Sequence, residues 1–97
     1  MLTWEEENRI TDGVLGLAVA DALGVPYEFR TREDIAQDPA TGMTGFGTHY
    51  QKPGTWSDDT SLTLALIKGL VNSGEEINYA GIADNFAAWF EKAAFTA

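Results

Sequence analysis

The sequence predicts an all-α fold, and three observations carry that prediction. Apolar residues recur at spacings of three and four in three long stretches. Each stretch is preceded by a residue suited to capping a helix: Thr3, Ser57 or Asp58, and Asn78. Glycines at 42, 45, 47 and 54, together with Pro53, mark one connecting loop.

The first helix is expected from Trp4 to about Ala22. Thr3 and Glu6 have the spacing of a capping box, and Ile10, Val14, Leu17 and Asp21 fall on one face. A carboxylate on an apolar face calls for a partner, either in a structural cap or in a polar site at the helix end. Beside that face runs a stripe of small residues, Gly13, Gly16, Ala20 and Gly24, which predicts close packing. Gly24-Val25-Pro26 is expected to end the helix with a left-handed glycine, and Tyr27-Glu28-Phe29 to follow as a short extended piece.

A short helix is expected from Thr31 to about Gln37, closed by Asp38-Pro39. The Gly-rich loop that follows has room for a short hairpin between Met43 and Tyr50. It lacks the Lys and Ser/Thr of a phosphate-binding loop. His49 has no second histidine or acid at ligand spacing and is expected as a surface loop residue. The second long helix should reach about Asn72, apolar and buried on nearly all sides, with Ser73-Gly74 closing it. The third starts after Asn78 and places Ile82, Phe86, Trp89, Phe90 and Ala93 on one core-facing side. Three such helices present more apolar surface than 97 residues readily bury. Self-association or further helices from a longer chain are therefore expected.

Composition narrows the functional classes. A hydrophobic fraction of 44% supports a packed core rather than disorder. A net charge of −9 disfavours a nucleic-acid partner and suits divalent cations. The absence of cysteine removes thiolate metal sites and cysteine nucleophiles, and fits a reducing, cytoplasmic setting. The acidic start MLTWEEENR is unlike a signal peptide, and no apolar run is expected to reach the roughly 20 residues of a membrane span.

The densest chemistry lies in Gly54-Thr55-Trp56-Ser57-Asp58-Asp59-Thr60, where two adjacent carboxylates and three hydroxyls meet the start of a helix. Adjacent carboxylates repel, and a helix N-terminus or a cation relieves the repulsion. Two readings stand: a plain N-cap, or a hard-cation site built from carboxylate and hydroxyl oxygens.

Gly13 to Phe29 (GVLGLAVADALGVPYEF) and Trp56 to Leu62 (WSDDTSL), with the aromatic helix around Phe86 to Trp89, resemble the ADP-ribosylglycohydrolase family. The resemblance implies an all-α domain, of which residues 1–97 form an N-terminal fragment. It implies hydrolysis of the glycosidic bond between ADP-ribose and a protein side chain or small-molecule acceptor, at a binuclear Mg²⁺ or Mn²⁺ centre. By position, Ser57, Asp58 and Asp59 match metal ligands, with Asp59 also catalytic. Glu28 matches the acid beside the substrate ribose and is implied to be both catalytic and substrate-binding, Asp21 is implied to organise the site on the substrate side, and Gly54 and Trp56 match further substrate-binding positions. Ala20 and Ser57 stand where the family more often has glycine and threonine. The family's Asp-x-Asp-Thr segment, which supplies the remaining ligands, is absent, so the fragment alone is expected to be inactive. The alternative is a non-catalytic helical module that associates through exposed apolar faces.

Overall fold

The computed structural model describes every residue from Met1 to Ala97. Helix α1 spans Trp4–Gly24 and runs into a 3₁₀ turn at Val25–Tyr27. The short helix α2 spans Arg32–Gln37, and a second 3₁₀ turn occupies Gly47–His49. Helices α3 and α4 span Asp58–Val71 and Tyr79–Lys92. The all-α class is as predicted. The chain divides into two compact units, Met1–Trp56 and Ser57–Ala97.

In the first unit, α1 begins with the expected capping box: the Glu6 N–H donates to Thr3 Oγ1 at 3.2 Å, and the Thr3 N–H donates to Glu6 Oε2 at 2.8 Å. Two donors at the open end of the helix are thereby satisfied reciprocally. Its far end differs from expectation. Gly24 keeps a right-handed conformation (φ −82°), and the chain tightens into the 3₁₀ turn instead, with the Val25 N–H donating to the Asp21 carbonyl. Proline explains the change, because Pro26 fixes φ near the helical value and has no N–H to leave unpaired in that turn. Residues 27–29 are consequently a turn rather than an extended piece, and Phe29 is left-handed at φ +63°.

Three further expectations about α1 are corrected. The small-residue stripe does not mark close packing, since a Cβ added at Gly13, Gly16 or Gly24 would meet nothing within 4 Å. The predicted inward face is also mostly open: Val14 and Asp21 are half-buried, whereas Ile10 and Leu17 are exposed. Burial concentrates at the helix end, on Ala22, Val25 and Pro26. In length and composition, Trp4–Tyr27 is long and apolar enough to cross a membrane, contrary to the expectation that no such run exists. Asp12 and Asp21 interrupt its apolar part.

Helix α2 is capped as predicted, with the Asp34 N–H donating to Thr31 Oγ1. No hairpin forms between Met43 and Tyr50. A single antiparallel bridge joins Phe46 to Gln51 around the second 3₁₀ turn. Positive φ at Gly45, Phe46, Gly47 and Tyr50 is the reason, because left-handed backbone cannot extend into paired strands.

The second unit is a helical hairpin. Gly69 of α3 meets Ile82 of α4, and the Ala65 carbonyl accepts from Asn85 Nδ2 at 3.0 Å. Later residues of one helix thus face earlier residues of the other, so the helices are antiparallel. A Cβ at Gly69 would lie 2.5 Å from Ile82 Cγ1 and 3.1 Å from its Cα, so glycine sets how closely the helices approach. Ser73 joins them by accepting the Asn78 N–H while donating to the Gly69 carbonyl. Burial follows this seam, on Ala65, Gly69 and Ile82. The expectation of a fully enclosed α3 is not met, since Leu66, Leu70 and Val71 are exposed. Nor is the aromatic face of α4 wholly core: Trp89 is half-buried, Phe86 is at the edge of exposure, and Phe90 is 82% exposed.

Candidate functional site

The predicted residues fall into two groups, one in each unit. In the first unit, Asp21 lies one turn before the end of α1, and Glu28 follows the 3₁₀ turn. Glu28 is gripped by the loop that arrives twenty residues later. Thr48 Oγ1 lies 3.0 Å from the Pro26 carbonyl oxygen and 2.7 Å from the Glu28 carbonyl oxygen, so one hydroxyl hydrogen is shared between two acceptors. His49 Nε2 lies 2.8 Å from Glu28 Oε2. An ionised carboxylate can only accept, so the ring carries its proton on Nε2 and donates it to Glu28. The Phe29 ring meets the His49 ring edge-on, with centroids 5.7 Å apart at 74°.

Gly47 makes the grip possible. Its φ of +61° is left-handed, and a Cβ there would lie 2.3 Å from the Pro26 carbonyl oxygen. Only glycine combines that conformation with that approach. Beside the turn, a cavity of about 380 Å³ is lined by Tyr27, Arg30, Asp38, Thr41 and Thr44 among others. Arg30 stacks 5.2 Å above the Tyr27 ring and pairs with Asp38 at 3.1 Å.

His49 is an exposed loop residue as expected, but it has an acid partner that the sequence reading did not find. Its acid lies 21 positions away, where a search for ligand spacing along the local sequence does not reach. The signal was the Gly45 and Gly47 pair, which lets the loop fold back sharply onto the preceding turn.

Gly54 and Trp56 close the first unit. Gly54 is left-handed at φ +87°, and Trp56 lines an apolar groove of about 220 Å³ with Leu15, Val19, Ala22 and Met43. The groove has the apolar character of a surface that receives a ring or an aliphatic chain.

In the second unit, Ser57 is the N-cap of α3, and its hydroxyl accepts the Asp59 N–H at 3.4 Å. Asp58 and Asp59 occupy the first turn and are exposed, whereas Thr60 and Ser61 behind them are each 2% exposed. Thr63 ties its hydroxyl to the Asp59 carbonyl at 2.7 Å. The cap reading is thus realised, and both carboxylates stand at the positive end of the helix dipole. Neither unit gathers three or more His, Cys, Asp or Glu side chains into a metal-holding group. The donors present are hard oxygens on a fixed turn, which fit Mg²⁺ or Mn²⁺ as a partial shell.

A helical chain with an acid clamped after its first helix and two carboxylates opening a later one is the arrangement seen here. The chain belongs to the ADP-ribosylglycohydrolase family, whose model matches residues 3–96. It is 42% identical over 86 residues to the ADP-ribosyl-(dinitrogen reductase) glycohydrolase of Rhodospirillum rubrum, covering 87% of this chain and 29% of that protein. It is 34% identical over 83 residues to the ADP-ribosylarginine hydrolase Tri1 of Pseudomonas putida (strain GB-1), covering 86% of this chain and 21% of that one. The matched region thus spans less than a third of the length of either relative. No solved structure matches the chain.

Proposed function

We propose that this chain supplies the Glu28 and Ser57-Asp58-Asp59 elements of an ADP-ribosyl hydrolase, which cleaves the glycosidic bond joining ADP-ribose to an acceptor such as an arginine side chain. Family membership over residues 3–96 carries the reading. The relatives named for action on ADP-ribosylarginine and ADP-ribosyl-dinitrogen reductase support a protein-linked substrate.

In this reading, Ser57 Oγ and the Asp58 and Asp59 carboxylates hold Mg²⁺ or Mn²⁺. The bound ion supplies charge that orients the ribose hydroxyls and makes a nearby water more acidic. Asp59 holds the attacking water in place, and Glu28 accepts hydrogen bonds from the ribose. Their negative charge suits the oxocarbenium character that develops as a glycosidic bond breaks. Asp21 organises the helix end, and Gly54 and Trp56 border the substrate. One hydroxyl and two carboxylates would supply part of a Mg²⁺ or Mn²⁺ shell, which water and residues beyond this turn would complete. The chain spans less than a third of the relatives' length, and we assign the activity to the whole protein in a cytoplasmic setting, with residues 1–97 alone inactive.

The test measures ADP-ribose released from an ADP-ribosylated arginine peptide by the full-length gene product, with magnesium titrated and then chelated. Release that disappears on chelation and falls by roughly 10²-fold or more in Asp58→Asn and Asp59→Asn is the expected outcome. Undiminished release after chelation would sink the metal assignment, and turnover by residues 1–97 alone would sink the incomplete-shell argument.

A second reading has its own observation. Leu66, Leu70, Val71 and Phe90 are exposed on the second unit, which favours association through apolar helix faces, with copies of the same chain or with further helices.

A further inference from the structure

Gly47, Thr48 and His49 are consecutive, and all three act on the segment Pro26–Phe29. Gly47 permits the approach to the Pro26 carbonyl, the Thr48 hydroxyl spans the Pro26 and Glu28 carbonyls, and the His49 ring holds the Glu28 carboxylate. The segment needs holding. Phe29 sits at φ +63°, where a residue with a Cβ carries a conformational cost, and on its C-terminal side no strand or long helix braces the turn that α1 runs into.

From this geometry we infer that His49 is a positioning residue for Glu28 in glycosidic hydrolysis, with Thr48 fixing the backbone beneath it; the inference rests on the function proposed above. His49 occupies Oε2 of Glu28 through its Nε2–H and leaves Oε1 for a substrate hydroxyl. The donation keeps the carboxylate in one rotamer. The Phe29 ring packs edge-on against the imidazole, so the ring cannot swing away without losing that contact. A carboxyl group on a turn would otherwise sample several rotamers, and a misplacement of about 1 Å costs roughly 10²-fold in rate. Because His49 is itself partly exposed, replacing it changes orientation and charge more than packing.

The experiment uses the full-length gene product loaded with magnesium and assayed on an ADP-ribosylated arginine peptide. His49→Ala lowers kcat and kcat/KM together by roughly 10- to 100-fold, because the oriented carboxylate is used as the transition state forms. His49→Gln, whose side-chain amide donates to the same oxygen, recovers most of the loss. In a Glu28→Ala background, His49→Ala costs nothing further, because both changes remove one interaction. Unchanged kcat in His49→Ala, equal damage in the alanine and glutamine variants, or losses that multiply in the double variant would each overturn the assignment. A second readout is independent of turnover: the Nε2–H proton of ¹⁵N-labelled His49, hydrogen-bonded and observable in the wild type and lost in Glu28→Ala. Turnover without that proton signal defeats the clamp. The proton signal without any turnover defeats the proposed activity, and with it the positioning role, while the Glu28–His49 pair stands.

Discussion

Ser57 has two jobs in the reading developed above, and a pair of substitutions separates them. As an N-cap, its hydroxyl accepts the Asp59 N–H; as a ligand, the same oxygen would face a cation. Glycine tolerates the cap position nearly as well as serine, whereas alanine does not. Ser57→Gly should therefore lower stability by only a few tenths of a kcal/mol, and Ser57→Ala by about 1 kcal/mol, in urea unfolding. Both remove the hydroxyl, so both should weaken magnesium binding by a similar factor in calorimetry. Affinity that follows stability, or does not change, would leave Ser57 a cap and nothing more. The Ser-Asp-Asp turn was legible in the sequence because cap chemistry is local. The Glu28–His49 pair was not, because it depends on how a glycine-rich loop folds back across 21 positions.

At the level of elements, α3 and α4 approach tightly where Gly69 meets Ile82. A methyl group at position 69 would meet not only the movable Ile82 Cγ1 but also its backbone Cα at 3.1 Å. Rotamer adjustment can relieve the first contact but not the second. Gly69→Ala gains helix propensity of about 1 kcal/mol, yet the forced separation of α3 and α4 costs about 1–3 kcal/mol. Net destabilisation is expected in thermal or urea unfolding, and a more stable variant would show that the helices can separate freely. The helices and their N-terminal caps were readable from periodicity and from Thr3, Thr31, Asn78 and the pair Ser57 or Asp58, of which Ser57 is the cap, whereas the left-handed glycine end expected for α1 was not found. Helix burial was not readable. Periodicity tells which residues share a face, but not whether anything covers that face, and so Ile10, Leu17, Leu66 and Phe90 were placed inside when they are exposed. The glycine stripe of α1 misled for the same reason: small side chains permit close approach without requiring it.

For the molecule as a whole, the exposed apolar residues make association the expected behaviour of residues 1–97 in isolation. Sedimentation should show a mass that rises with concentration, and replacing Leu70, Val71 and Phe90 together by glutamate should restore the monomer. A compact monomer at all concentrations would remove the basis of the second reading. The family and its helical class were visible from two stretches of sequence, whereas the inward faces of the helices depended on neighbours that no periodicity names.

The Thr48 hydroxyl, shared between two carbonyls, carries one more implication. The address of Glu28 is written not in its own neighbourhood but in a tripeptide that begins nineteen positions on, with the shared hydroxyl at a separation of 20. Loop and acid therefore act as a single unit. Replacing residues 47–49 would change the aim of that carboxylate without altering the acid itself.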